Sequence, residues 1–277
     1  MLYLLILCAF LICVFLSSLI IPRILVIAFR KRLFDLSTGQ AVPRRVVSRL
    51  GGISFVPILV FSLAFTVGIR YVAGYPFSIP FVSCITPEAS MAVCGMILLY
   101  LSGIKEDLVG LRYRTKLAIQ VLAASFFPLS GVWWNNLHGL FGVYEVPAGF
   151  GIPFTILLVV GVMNAVRLLD EITGLASGIS SICVGILGAL FLSHRLWVYA
   201  LLAFSTLGVL LPFFYYNVFG RFAQGKKIFM GNAGSQTMGF ILSFLLIRYV
   251  DFPMDLLDCM EGIPGLNVLH SFSLLIV

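Results

Sequence analysis

The stretch VMNAVRLLDEITGLASG, Val162 to Gly178, closes an apolar run with an arginine, two adjacent carboxylates and a glycine, then returns to apolar sequence. Charged groups at the end of a lipid-soluble helix are costly, so their position implies a task. The rest of the chain sets the class. Its 277 residues are 61% hydrophobic and only 10% charged, with a mean hydropathy of +1.10. A soluble domain of this length cannot hide that much apolar surface, which predicts an all-α, polytopic helical membrane protein. At about 20 apolar residues per span, the sequence divides into eight spans near residues 3–28, 51–72, 88–104, 116–133, 152–169, 176–193, 196–218 and 232–249. A ninth begins near Ile263. No internal repeat or low-complexity segment interrupts them, so residues 1–277 read as a single transmembrane domain.

Orientation follows from the basic residues. Of the 18 lysines and arginines, all but Arg70, Arg195 and Arg248 fall in or beside one set of loops. The positive-inside rule makes that set cytoplasmic and puts the N-terminus outside. The net charge of +7 then describes a membrane face beside anionic lipid and does not imply nucleic acid. The first span has no basic leader and no small-residue cleavage site, so it reads as retained, with a kink expected at Pro22. Cys8, Cys13, Cys94 and Cys183 lie inside spans as small packing residues, whereas Cys84 and Cys259 map to external loops where they can pair. Trp133 and Trp134 suit an interfacial aromatic belt, and the three histidines are too scattered for a metal site.

The inner face gathers the polar chemistry. Glu106 and Asp107 follow the third span, Asp170 and Glu171 the fifth, and Asn217 ends the seventh; Asn232, Gly234 and Ser235 open the eighth. Carboxylates among lysines and arginines at a bundle mouth can hold a divalent cation, and oxygen donors of this kind suit magnesium shared with substrate phosphates. Each piece also has a plainer reading. Glu106 and Asp107 fit solvated interfacial charges, and Arg167 fits a side chain snorkelling from a helix C-terminus. Asn232 or Ser235 fits an N-cap, while Asn164 and Asn217 fit interhelical hydrogen bonding. Joint occurrence on one face favours a site.

Four blocks carry a resemblance: RLGGISF from Arg49, GIKEDLVGLRYRTKLAIQ from Gly103, NAVRLLDEITGLASG from Asn164, and FFYYNVFG with KIFMGNAGSQTMG from Phe213. Their order and spacing resemble the polyprenyl-phosphate N-acetylhexosamine-1-phosphate transferase family, in particular the bacterial enzymes of the undecaprenyl-phosphate GlcNAc-1-phosphate transferase type. The resemblance implies that a polyprenyl-phosphate oxygen attacks the β-phosphorus of a UDP-sugar and UMP leaves, with magnesium bridging the diphosphate. It implies a bacterial inner membrane location, undecaprenyl phosphate and a UDP-sugar as partners, and is compatible with a homodimer. Lys116 matches a phosphate-holding lysine, Asp107 the second member of an aspartate pair, and Asp170 the first aspartate of a DGxDG block. Asn164 and Asn217 match asparagines near the nucleotide and metal.

Several positions depart from that pattern. Glu106 stands where the pair has an aspartate, Arg167 where a second asparagine is expected, and Thr173 where the second aspartate is expected. Asn232 replaces a magnesium-ligand carboxylate. Gln40 to Pro43 replace a basic motif of the first inner loop, and the chain ends before the family's last spans. The candidate catalytic set is therefore Glu106, Asp107, Lys116 and Asp170. Substrate binding falls to Asn164, Arg167, Asn217, Gly234 and Ser235, and metal binding to Asp170 and Asn232. Two functions fit: a membrane sugar-1-phosphate transferase, or a catalytically impaired copy that binds lipid phosphate or a partner. A transporter is disfavoured, because the spans show no paired broken helices.

Overall fold

Backbone N–H and C=O groups in hydrocarbon must pair within their own segment, so an apolar chain of this length folds as helices. The computed structural model describes residues 2–31, 35–36, 46–47, 50–72, 74, 79–135, 146–220 and 228–250. Eight helices account for nearly all of them: α1 (Leu2–Lys31), α2 (Phe55–Val72), α3 (Ile79–Val109), α4 (Tyr113–Leu129), α5 (Ala148–Leu169), α6 (Leu175–Ser193), α7 (Trp197–Phe219) and α8 (Gly231–Val250). A 3-10 turn, Gly51–Ser54, leads into α2, and a two-residue antiparallel ladder joins β1 (Asp35–Leu36) to β2 (Val46–Val47). The chain is an all-α polytopic membrane protein. Helix α1 runs through Pro22 without a break. The ninth apolar segment and Cys259, like the side chain of Cys84, lie outside the described residues.

Six of these helices are long and apolar enough to cross a bilayer. Helices α4 and α8, both expected as full spans, fall short of that standard among the described residues. Helix α4 is only 17 residues long. Helix α8 opens on the small and polar run GNAGSQT, and it tolerates that run because neighbours surround it and lipid does not. It packs on α3, α5, α6 and the 3-10 turn, and nearly all of its residues are buried. Helix α7 plays the matching role beside α1, α2 and α6.

Small residues set the closeness of these contacts, as is usual where lipid supplies no hydrophobic drive between helices. A Cβ on Gly239 of α8 would lie 2.6 Å from the Met163 Cα of α5, and one on Gly208 of α7 would lie 2.7 Å from the Phe10 carbonyl of α1. Hydroxyls add interhelical bonds: Ser17 donates to the Val209 carbonyl and Ser62 to the Ala9 carbonyl, each at 3.1 Å. Such bonds average about 0.6 kcal/mol each, so packing carries most of the cohesion. Phe127 of α4 stacks on Phe240 of α8 with centroids 4.4 Å apart. Outward faces carry exposed Leu4, Phe15, Phe65, Leu157 and Ile182 toward the lipid. Trp134 is buried edge-on to Phe154 at 5.7 Å.

Each end of the bundle carries a charge network. At one end Glu88 of α3 pairs with Arg248 of α8 at 3.0 Å, and Tyr199 of α7 donates to Glu88 at 2.8 Å. The other end holds Glu106, 18 residues along the same helix, or about 27 Å at 1.5 Å per residue. That separation is close to one hydrocarbon thickness.

Candidate functional site

The site is built around the start of α8. A helix leaves its first N–H groups without intrahelical partners, and burial makes each one expensive to leave bare. Asp170, at the C-cap of α5, accepts the Met230 N–H at 3.1 Å and the Gly231 N–H at 2.9 Å. Asp107, from the last turn of α3, accepts the Asn232 N–H at 2.9 Å and the Ala233 N–H at 3.0 Å. Two carboxylates from distant helices thus cap four successive amides and face the positive end of the helix dipole. Neither Asn232 nor Ser235 is the N-cap. The helix already begins at Gly231, and Ser235 turns back to the Gly231 carbonyl at 2.7 Å.

Backbones must come unusually close for this arrangement. Gly231 takes φ +74°, open to glycine at no steric cost. A Cβ on Gly52 would land on the Gly234 backbone, and one on Gly103 would lie 2.7 Å from the Ala233 nitrogen. Gly51 and Gly52 donate their N–H groups to Phe229 and Met230 at 3.2 and 2.8 Å, tying the 3-10 turn to the entry of α8. Gly234 and Ser235 are therefore buried packing positions in this arrangement.

Asn217 fixes the remaining edge. Its Oδ1 accepts the Gly174 N–H at 2.5 Å, and its Nδ2 donates to the Ile228 carbonyl at 2.6 Å. The side chain is 2% exposed and joins the end of α7 to the loop before α6 and the strand-like entry of α8. The opening stretch of the sequence is thus the connection whose Asp170 and Gly174 hold two other segments in place. Thr173 and Glu171 of the same loop are exposed.

Beside the cap lies a charged cluster. Glu106 Oε1 meets Lys116 Nζ at 2.9 Å and the Arg167 guanidinium at 3.3 Å, while its Oε2 accepts from Gln236 Nε2 at 2.9 Å. Lys116 is 5% exposed and also reaches Asn232 Oδ1 at 3.5 Å. Asn232 Nδ2 donates to Asp107 Oδ1 at 2.9 Å, joining the cluster to the cap. Arg167 is the accessible member, its side chain 42% exposed. One turn deeper, Gln120 and Asn164 exchange amide hydrogen bonds at 3.3 and 3.4 Å.

All ten candidate residues thus gather at one end of the bundle, with Glu106, Asp107, Lys116, Asn164, Arg167, Asp170, Asn217 and Asn232 carrying the polar side-chain contacts. Gln120 and Gln236 escaped the sequence reading. Their spacing held a signal, since Gln120 lies four residues after Lys116 and Gln236 four after Asn232, on the same helix faces.

The donor set offers magnesium little in this arrangement. Asp107 and Asp170 face backbone N–H groups, Glu106 faces two cations and an amide, and the Asn232 oxygen faces an ammonium. Among the described residues no three His, Cys, Asp or Glu side chains converge to hold a metal ion. The described residues do not fit the expected magnesium.

Comparison with known proteins identifies the family. The chain is 27% identical over 183 residues to the undecaprenyl-phosphate alpha-N-acetylglucosaminyl 1-phosphate transferase of Yersinia pestis, covering 65% of this chain and 50% of that protein. It is 28% identical over 236 residues to the phospho-N-acetylmuramoyl-pentapeptide-transferase of Prochlorococcus marinus (strain MIT 9301), covering 82% of this chain and 61% of that protein. The Enterococcus faecalis (strain ATCC 700802 / V583) enzyme of the latter name is 31% identical over 174 residues, covering 58% and 52%. The chain spans half to three-fifths of the length of these relatives. The family model described as glycosyl transferase family 4 matches residues 89–250, more than half of the chain and every helix that lends a side chain to the site, and the chain belongs to that family.

Proposed function

We propose that this chain transfers a sugar-1-phosphate, GlcNAc-1-phosphate in the first instance, from a UDP-sugar to a polyprenyl phosphate such as undecaprenyl phosphate. The observation that carries the reading is the convergence of α3, α4, α5 and α8 on one cationic cluster beside a doubly capped helix start. The side chains of that cluster all fall inside the family match.

In the proposed step an oxygen of the lipid phosphate forms a bond to the β-phosphorus of the nucleotide sugar. The bond from that phosphorus to the bridging oxygen breaks, and UMP leaves with the electron pair. A phosphate monoester, with a second pKa of about 6, is already largely ionised at neutral pH, so the nucleophile needs no strong protein base. Asp107 is engaged by three N–H donors and acts here by positioning α8. Lys116 and Arg167 supply positive charge toward the transferring phosphoryl group, whose equatorial oxygens carry the charge in a loose transition state. Glu106 and Gln236 hold those cations in register. No step is assigned to magnesium.

The site end is read as cytoplasmic, with the N-terminus outside, in a bacterial inner membrane. Support comes from Lys105, Arg112, Arg114, Lys116 and Arg167 gathering there. The test is formation of lipid-linked product from labelled UDP-GlcNAc by purified protein reconstituted with undecaprenyl phosphate. Product should appear with the parent and fall sharply in Lys116→Ala; product unchanged in Lys116→Ala overturns the assignment.

A further inference from the structure

Three of the positions that depart from the family pattern, Glu106, Arg167 and Asn232, lie in one contact network. Glu106 holds Arg167 at 3.3 Å, and Lys116 links Glu106 at 2.9 Å to Asn232 at 3.5 Å. Scattered loss of function gives no reason for such contact. We propose that Lys116 and Arg167, held on Glu106, form a metal-independent binding site for a phosphate-bearing anion, with the protein's own cations supplying the positive charge that the family pattern assigns to magnesium. The inference rests on the transferase reading for its ligand class.

The charges support it. Glu106 sets one negative charge against the two cations in direct contact with it, while the neighbouring Asp107, the second carboxylate of the network, is engaged by three N–H donors at the start of α8. Asp107 and Asp170 face the start of α8 and its positive dipole. Asn232 removes the reason for a bridging cation. Its Nδ2 lies 2.9 Å from Asp107, and a carboxylate there would place two negative groups in hydrogen-bond contact. The amide instead donates to Asp107 and accepts from Lys116, satisfying both neighbours.

The layering supports it as well. Lys116 is buried as a fixed point charge, while Arg167 reaches the mouth with its side chain 42% exposed. A guanidinium carries five donors and matches phosphate in two-point geometry. Among the described residues its ion pair is a 3.3 Å approach to Glu106, which an incoming anion can replace. Gln236 and Lys116 keep Glu106 in place when that exchange occurs.

The anion can come from the nucleotide diphosphate or from the lipid phosphate, and binding measurements separate them. Purified full chain in lipid nanodiscs is titrated with UDP, inorganic pyrophosphate and a short-chain polyprenyl phosphate, in EDTA and then in magnesium. UDP should bind in EDTA, with magnesium changing Kd by less than about twofold. Arg167→Asn should weaken that binding by about tenfold or more, the loss of a charge-assisted contact, and Arg167→Lys should recover part of it. Binding that disappears in EDTA and returns with magnesium overturns the proposal, as does a parent that binds none of the three probes. The comparison in EDTA uses the parent alone, so it stands even if a variant fails to fold. Pyrophosphate binding as tightly as UDP supports the anion site and removes the nucleotide reading. Preference for the polyprenyl phosphate supports the site and assigns it to the lipid acceptor.

Discussion

Replacing Asp107 by asparagine keeps the shape of the side chain and removes its charge. The carboxylate accepts the Asn232 N–H at 2.9 Å, the Ala233 N–H at 3.0 Å and the Asn232 amide at 2.9 Å. An asparagine has one acceptor oxygen, so at least one of these donors then faces an NH2 group. Losing a hydrogen bond to a charged acceptor costs about 1.5–3 kcal/mol. Removing a negative charge from the first turn of a helix adds about 0.3–2 kcal/mol. Together these give about 2–5 kcal/mol, which at about 2–4 °C per kcal/mol lowers the melting temperature by roughly 4–20 °C. Thermal unfolding in detergent, followed by tryptophan fluorescence, measures it. Glu171→Gln serves as the control, because that carboxylate is exposed and its loss should stay within about 0.5 kcal/mol. An Asp107→Asn protein that melts with the parent refutes the claim that this carboxylate holds the start of α8.

Three more outcomes follow from the same geometry. Gly103→Ala places a methyl 2.7 Å from the Ala233 nitrogen, so overpacking of about 1–3 kcal/mol or more should lower the melting temperature. Asn217→Ala strips the Gly174 N–H and the Ile228 carbonyl of their partner, and at about 1–3 kcal/mol per buried group it should lower the melting temperature. Arg248→Met leaves Glu88 without its ion pair at the other end of the bundle and should cost about 3–5 kcal/mol, yet leave UDP affinity unchanged in titration of the folded protein.

Much of this was legible in the sequence, for physical reasons. Composition alone requires membrane helices, and Asp107, Lys116, Asp170 and Asn217 stand out because charge and amides are rare in so apolar a chain. Their partners were less visible. Asp107 and Asp170 read as metal or substrate groups, because nothing in a linear sequence shows that the buried amides of α8 must be satisfied. Gln120 and Gln236 read as ordinary helix residues until α4, α5 and α8 are side by side. Helix α8 reads from the sequence as a span, and its polar first turns are sheltered by α3, α5 and the 3-10 turn. Glu88 drew no reading from the sequence, because its partner Arg248 lies 160 residues further along the chain.

The altered residues remain the point on which the account turns. Glu106, Arg167 and Asn232 are read here as parts of a working site whose charges balance without the family's pattern. The direct test is UMP release from UDP-GlcNAc and undecaprenyl phosphate by the purified parent, beside a triple variant carrying Arg167→Asn, Thr173→Asp and Asn232→Asp. The account predicts that the parent releases UMP in proportion to the lipid phosphate supplied. A silent parent beside an active triple variant would contradict it, and would mark a disabled transferase on an intact scaffold.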